Sequence, residues 1–256
     1  MNLEIAVVSK QGGRSHNEDA CGYWTSATGC CWVVSDGAGG HGGGDVASKT
    51  VVSSILRDFA DSPAVSSARI AELIRRANGA VLREQQSQQQ SARNMRATAA
   101  VLLVDQASDV ALWGNLGDTR IYGFRGCRVL FQSRDHSVMQ SMVDAGFGDA
   151  AMLRHHPQRS VLLAALGTPD EIHPAVVESP MALRDGDVFL LCTDGLWEYV
   201  EEATMERLLA GSSTAETWLA ALEAEVLAHA KRDHDNYTAL TVWVGDPADA
   251  TRIISA

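Results

Sequence analysis

The sequence predicts an α+β fold in which helices pack outside antiparallel β-sheet. Apolar, strand-like runs follow one another through short turns, and the segments with helical periodicity come in pairs. A doubly wound parallel sheet would instead alternate strand and helix regularly, and this chain does not. Because the 256 residues show neither an internal repeat nor a long linker, we expect a single domain over residues 1–256.

The predicted strands are short runs rich in β-branched, aromatic and other apolar residues. They cover residues 4–8, 20–24, 30–35, 97–104, 110–116, 120–124, 128–131, 175–178, 188–192 and 237–244. The predicted helices are amphipathic, with apolar residues at a spacing of three and four. One pair covers residues 46–59 and 70–81, and a second pair covers residues 205–209 and 214–229.

Composition and charge limit the class of protein. With 46% hydrophobic and 21% charged residues, the chain can bury a sizeable core. Its net charge of −11, without a run of basic residues, argues against nucleic acid and anionic membrane as partners. No window approaches the roughly 20 apolar residues of a membrane span, and no basic leader precedes an apolar core, so we expect a cytoplasmic protein. The five cysteines lack CxxC spacing, which predicts reduced, mostly buried thiols.

Four aspartates lie at the ends of predicted strands. Asp36 and Asp194 each stand before a glycine, Asp118 follows one, and Asp235 precedes the last strand. One such Asp is most often part of a turn. Four that converge on one edge would repel one another strongly unless something positive neutralises them, and basic residues are too few and scattered to do so.

Divalent cations are the economical answer to this repulsion. Carboxylate, carbonyl and water oxygens suit Mg²⁺ or Mn²⁺ better than Zn²⁺, which favours His and Cys. Two such ions about 4 Å apart would polarise a bridging water for attack on phosphorus. The glycine-rich run that follows Asp36 lacks the Gly-Lys-Ser/Thr ending of a P-loop, and its better use is to expose the carbonyl of Gly37 to a metal.

The segment RSHNED at residues 14–19 packs a cation, an amide and two acids into six positions. One interpretation is a solvated loop with weak internal salt bridges. The other gives Arg14 a bidentate grip on a phosphate dianion. The residue types alone leave both open.

Six motifs, in order along the chain, carry a family resemblance. They are RSHNEDA (14–20), VSDGAGGHGGGDVAS (34–48), GDTRIY (117–122), RDHS (134–137), CTDGLW (192–197) and DNYT (235–238). Together they resemble the motif series of the protein phosphatase 2C (PP2C, PPM) family, the metal-dependent protein serine/threonine phosphatases, and in particular its bacterial single-domain branch. The similarity spans about residues 5–245.

The resemblance implies a four-layer α-β-β-α sandwich with two central antiparallel sheets flanked by helix pairs. It implies two Mg²⁺ or Mn²⁺ ions and a third in bacterial members. By this resemblance, Asp36 bridges the two ions, Asp194 and Asp235 complete the coordination shell of one ion, and the Gly37 carbonyl binds the other. Asp118 shares the third ion with Asp194, Glu18 and Asp19 act through metal-bound waters, and Arg14 binds the substrate phosphate. His41 and Asn236 lie around these residues without binding an ion directly. Residues 136–166 match the region that shapes substrate access.

The implied function is hydrolysis of phosphoserine and phosphothreonine in proteins by direct attack of a water bridging two metal ions. We expect a monomer that opposes a bacterial serine/threonine kinase, in type VI secretion control or a housekeeping pathway. An alternative is a non-catalytic pseudophosphatase that binds phosphoproteins, but its mark would be a missing metal carboxylate. A phosphohydrolase with an Asp nucleophile would need a DxD pair, and SDGAG has no second Asp.

The chain departs from the family pattern at two places. Eukaryotic relatives carry a His directly after the metal-binding Asp-Gly, as a proposed general acid, whereas Ala38 stands there in this chain. His41 is the nearest histidine in sequence, with a structural role and a proton-donor role both open. Arg96 brings an unusual charge to a position where relatives carry small residues.

Overall fold

The computed structural model describes residues 1–38, 43–87 and 94–245. Strands alternate with helix pairs along the chain. The strands are β1 (Leu3–Lys10), β2 (Ala20–Thr25), β3 (Gly29–Ser35), β4 (Gly37–Ala38), β5 (Arg96–Ala97), β6 (Ala99–Asp105), β7 (Val110–Leu116), β8 (Arg120–Arg125), β9 (Arg128–Gln132), β10 (Ala175–Val176), β11 (Met181–Ala182), β12 (Val188–Cys192) and β13 (Tyr237–Val244). The helices are α1 (Gly44–Asp61), α2 (Ser67–Ser87), α3 (Val138–Asp144), α4 (Met152–His155), α5 (Asp194–Trp197), α6 (Glu202–Ala210) and α7 (Ala215–His229).

Two antiparallel sheets form the centre of the molecule. The first sheet has the strand order β1-β13-β12-β8-β9, and the second has the order β10-β7-β6-β3-β2, with β11 also paired to β7. In the first sheet the earliest strand pairs with the last over its full length, from Leu3 opposite Val244 to Lys10 opposite Tyr237. Strands from both ends of the chain therefore build the same sheet.

Three apolar layers hold the sandwich together. Between the two sheets lie the alternate inward-facing side chains of both, such as Trp32, Leu102 and Phe189. The outer face of the second sheet is covered by α1 and α2, and that of the first by α6 and α7. Each helix pair turns an apolar stripe inward because its apolar residues recur at the helical period. The predicted four-layer α-β-β-α architecture is confirmed.

The structure differs from the sequence-based prediction in local detail. The run predicted at residues 97–104 is two strands, because Thr98 turns out of the ladder and bonds to Asp36 instead: its N–H donates to the Asp36 carbonyl at 2.8 Å, and its Oγ1 accepts from the Asp36 N–H at 2.9 Å. The strand predicted at 175–178 is only two residues long, and β4, β11 and α5 were not predicted. The helices α3 and α4 lie within residues 136–166, which the resemblance matches to a helix-and-flap region without giving helix bounds.

All five cysteines are free thiols, as predicted, and Cys30, Cys31 and Cys192 are buried. Among the helices in the described ranges, none combines the length and apolar character that crossing a membrane requires.

Candidate active site

The predicted aspartates of the site come together at one edge of the sandwich, with contributions from both sheets. Asp36 follows β3 of the second sheet, whereas Asp194 follows β12 and Asp235 precedes β13 of the first. Asp19 precedes β2 and bridges the two sheets, since Thr193 donates a hydrogen bond from its Oγ1 to Asp19 Oδ2 at 2.9 Å. Thr193 Oγ1 in turn accepts from the N–H of Thr238 in β13 at 3.0 Å.

Burial and mutual repulsion disfavour the charged form of each of these carboxyl groups in the metal-free protein. Burial, with repulsion from Asp235, raises the pKa of Asp19 to about 7. Loss of water around the carboxyl, with repulsion from Asp19 and Asp194, raises the pKa of Asp36 well above its ordinary value. For Asp194, burial, with repulsion from Asp118, raises the pKa in the same direction. Positive charge is what this cluster lacks.

The donor set fits hard divalent cations. Asp19 Oδ1 and Asp194 Oδ1 are buried with no hydrogen-bond partner, and such atoms are rare unless an ion or water satisfies them. Oxygen-only donors suit Mg²⁺ or Mn²⁺. Within the described residues no three His, Cys, Asp or Glu side chains form a ready-made cage. Mg²⁺ keeps several waters and takes few direct carboxylates, so its binding does not require a complete protein cage.

The backbone after Asp36 packs so closely that only glycine fits. A Cβ at Gly37 would lie 2.0 Å from the Gly44 carbonyl oxygen and 2.6 Å from that of Glu18. A Cβ at Gly44 would lie 2.8 Å from the Glu18 carboxylate. The Gly37 carbonyl, the Glu18 side chain and the first turn of α1 therefore meet at one point, next to Asp36.

Asn236 fastens the loop that carries Arg14 and Glu18 onto the site. Its side-chain Oδ1 accepts from the Glu18 N–H at 2.8 Å, and its Nδ2 donates to the carbonyls of Gln11 and His16 at 2.6 and 2.8 Å. One buried amide thus aligns residues from both ends of the chain.

Arg14 lies at the rim of the site. Its Nη2 donates to Asp235 Oδ2 at 2.7 Å, and both side chains are substantially exposed. In the segment 14–19, the structure thus shows a salt bridge across the site rather than one inside the loop.

Asp118 is next to a buried network formed by Trp197, Arg120 and Asp135. Burial, with repulsion from Asp135, raises the pKa of Asp118 to about 7. Its carbonyl accepts from Trp197 Nε1 at 3.0 Å, and the guanidinium of Arg120 stacks 3.5 Å from the centre of the Trp197 ring. Arg120, 1% exposed, also donates to Asp135 at 2.8 and 2.7 Å. This network holds the backbone of Asp118 in place through its carbonyl.

The sequence analysis missed one acid of the site. Glu198 follows the CTDGLW motif directly, and it contributes repulsion at both Asp118 and Asp194. Its own pKa is raised by burial, against the opposing effect of Arg159, with which it forms a salt bridge. The signal was an acid one helical turn after Asp194, which a search restricted to strand ends does not detect. His41 lies outside the described residues.

A sequence profile of the protein phosphatase 2C family matches residues 9–232, most of the chain. The chain belongs to the protein phosphatase 2C family. It is therefore a metal-dependent phosphatase, a hydrolase, as the motif series predicted. The family relationship also explains why acids from both sheets meet at one edge.

Several bacterial family members are similar over most of their length. The serine/threonine phosphatase Stp of Listeria innocua is 28% identical over 207 residues, covering 78% of this chain and 80% of Stp. The catalytic domain of the serine/threonine protein phosphatase PstP, solved in complex with two manganese ions, is 26% identical with a TM-score of 0.77, covering 95% of this chain and 99% of that domain. PppA, described as a key regulatory component of the type VI secretion system in Pseudomonas aeruginosa, is 28% identical with a TM-score of 0.76, covering 95% and 98%.

Proposed function

We propose that this phosphatase removes phosphate from phosphoserine and phosphothreonine in proteins, by direct attack of water without a phosphoenzyme. The observation that supports this proposal is the convergence of Asp19, Asp36, Asp194 and Asp235 from both sheets, with unsatisfied carboxylate oxygens and an exposed arginine beside them. The mechanism needs no nucleophilic side chain, since the mutual repulsion of these buried acids favours binding of positive ions that can activate a water.

The protein's own residues have distinct tasks in this mechanism. Asp36, Asp194, Asp235 and the Gly37 carbonyl would hold two ions, with Glu18 and Asp19 acting through waters. Bound there, Mg²⁺ or Mn²⁺ supplies Lewis-acid chemistry: it lowers the pKa of water and offsets charge on the phosphoryl oxygens.

Arg14 would bind two phosphoryl oxygens with its planar guanidinium and orient the phosphorus toward the acid cluster. Asp118, with Asp194, would hold a third ion. Asn236 keeps Arg14 and Glu18 in register with Asp36, since it bonds to the loop on both sides of Arg14.

The biological partners are inferred from the relatives. We propose that the substrates are phosphoproteins made by a bacterial serine/threonine kinase, with the enzyme working in the cytoplasm as a monomeric single domain. The similarity to PppA supports a role in type VI secretion control. Comparing phosphoproteomes of strains with and without the gene tests this: phosphothreonine sites on secretion components should accumulate in the deletion strain, and accumulation elsewhere alone would assign the enzyme to another pathway.

Metal removal tests the chemistry. Hydrolysis of an aryl phosphate and of a phosphothreonine peptide should vanish with a chelator and return with Mn²⁺ or Mg²⁺, while circular dichroism shows the chain still folded. Activity that survives thorough chelation would contradict the two-metal mechanism.

A further inference from the structure

A second charged feature lies away from the acid cluster, on the outer face of the α1–α2 pair. A groove of about 460 Å³ runs between the two helices, and its lining includes Arg57, Arg76 and Arg83. We call it the arginine groove. Three guanidinium groups in one groove are notable in a chain whose net charge is −11.

Two of these arginines have no acidic partner among the described residues. Arg76 is paired, at 2.9 Å from Glu72 and 3.8 Å from Asp58. Arg57 and Arg83 are exposed and form no ion pair within the described ranges. The acid that lines the groove, Asp58, already pairs with Arg76. The groove therefore keeps unneutralised positive charge.

The rest of the lining favours an extended ligand rather than a bulky apolar one. Ser53 and Ser54 supply hydroxyl groups, and the guanidinium of Arg83 lies close to Gly79, since a Cβ there would contact Arg83 Nη1 at 3.4 Å. Guanidinium groups match the two oxygens of a carboxylate or a phosphate. In a phosphatase, a phosphate used for docking would itself be exposed to hydrolysis, which favours carboxylates as the lasting ligand.

The groove points toward the active site. Two contacts show that the helices run antiparallel. Asp58, near the end of α1, pairs with Arg76 in the middle of α2. Gln85, near the end of α2, bonds to Met95, and Met95 packs against Gly43 at the start of α1. Arg83 therefore lies toward the active-site end and Arg57 toward the far end.

The distance from the site to the far end of the groove can be estimated along α1. Gly44 touches Glu18 in the site, and Arg57 is 13 residues further along the helix. At 1.5 Å per residue this is about 20 Å, which an extended peptide of about six residues spans.

We propose that the arginine groove docks a carboxylate-rich segment of the protein substrate, about six residues or more from the phosphorylated side chain. The inference rests on the proposed function, because it assigns substrate selectivity to that same active site. It also answers an electrostatic difficulty: an acidic enzyme repels acidic substrates over long range, and the groove provides a local attraction.

Two phosphothreonine peptides test the proposal. One carries a run of glutamates beginning about six residues from the phosphothreonine, and the other carries glutamines there. The wild-type enzyme should show a KM about three- to tenfold lower for the Glu peptide, as expected for two exposed guanidinium–carboxylate contacts. Raising the salt concentration should shrink that preference. Equal KM values at low salt would overturn the proposal.

The variant Arg57→Glu/Arg83→Glu should lose the preference while keeping its kcat/KM on an aryl phosphate and on the Gln peptide. The matched control is Arg75→Glu, an exposed arginine of α2 that does not line the groove, and it should retain the preference. If Arg75→Glu abolishes the preference equally, general charge and not the groove is responsible. Should the double Glu variant not fold, Arg57→Gln/Arg83→Gln replaces it with the same expected loss.

Failure of the proposed function gives a different pattern. An enzyme that hydrolyses neither peptide would contradict the proposed function, and fluorescence anisotropy of the labelled Glu peptide would still test the groove. Groove binding requires tighter association of wild type than of the Arg57/Arg83 variant, and equal association of both would overturn it.

Discussion

Arg14 Nη2 lies 2.7 Å from Asp235 Oδ2 across the mouth of the site, with 56% and 41% of the two side chains exposed. Exposed pairs of this kind contribute only about 0–1 kcal/mol. Arg14 can therefore leave Asp235 at little cost, as its proposed role in binding the substrate phosphate and the proposed role of Asp235 as a metal ligand both require. The same guanidinium is held near the acid cluster until a stronger anion arrives.

Arg14→Ala should raise KM for a phosphothreonine peptide by about tenfold or more, because a bidentate clamp binds phosphate in the ground state as well as in the transition state. Arg14→Lys keeps the positive charge but loses the bidentate guanidinium, so its KM should lie between those of wild type and Arg14→Ala. Steady-state kinetics with manganese-loaded protein measure this. Unchanged KM and kcat in Arg14→Ala would remove Arg14 from the site.

Replacing different aspartates of the site should have different effects on turnover and on the number of bound metal ions. Asp36→Asn should lower turnover by several orders of magnitude, because its carboxylate is proposed to touch both core ions. Asp118→Ala should leave two manganese ions bound, as counted by calorimetry, while kcat falls, especially on phosphopeptides. Loss of all bound manganese in Asp118→Ala would place Asp118 in the core of the site.

The metal-free protein should become less stable as pH rises. The folded-state pKa values of Asp19 and Asp118 are raised to about 7, so the native state binds more protons than the unfolded state between about pH 4 and pH 7. Stability is therefore greatest at the acidic end of this window and is lost as pH rises through it. Thermal melts of chelated protein measure the effect, and added manganese should reverse the slope. A chelated protein whose Tm rises between pH 5 and pH 7 would contradict the assigned charge states.

Arg120→Met should destabilise the fold by about 3–5 kcal/mol, because it leaves the buried Asp135 carboxylate unpaired. The matched control is Arg128→Met on the adjacent strand β9, which removes the ion pair of the exposed Arg128 with Glu206 of α6 and should cost less than about 1 kcal/mol. Urea unfolding measures both. Equal losses would show that the Arg120 network contributes no more than a surface pair.

His41 remains a sequence-based candidate for the proton donor. His41→Ala should slow hydrolysis of an alkyl phosphoserine peptide much more than that of an aryl phosphate, whose phenolate leaves without a proton. Equal losses on the two substrates would favour a structural role.

The sequence was sufficient to predict the four strand-end aspartates, but not Glu198 or the contacts around these acids. Asp36, Asp118, Asp194 and Asp235 could be found because each stands at the end or start of an apolar run, a local signal. The arrangement in two sheets was predicted only through the family resemblance, and the order of strands within each sheet was not predicted, since periodicity shows which segments are strands but not which ones pair.

The supporting contacts depend on tertiary packing that no local pattern encodes. Arg120 and Asp135 stand 15 residues apart on different segments, and the Trp197 ring that covers Arg120 comes from a third. Thr98 looked like the middle of one strand, because nothing in an apolar run shows that its hydroxyl will accept a hydrogen bond from Asp36. The partner of Arg14 likewise depends on how a flexible exposed side chain is placed.

The position of β13 between β1 and β12 has a consequence for biosynthesis. Because β13 lies between β1 and β12 and follows both in the chain, the first sheet cannot be complete until residues 237–244 have been translated. Asp235, a proposed metal ligand, and Asn236 directly precede that strand, so a polypeptide that ends before them lacks both the ligand and the amide that bonds to Glu18.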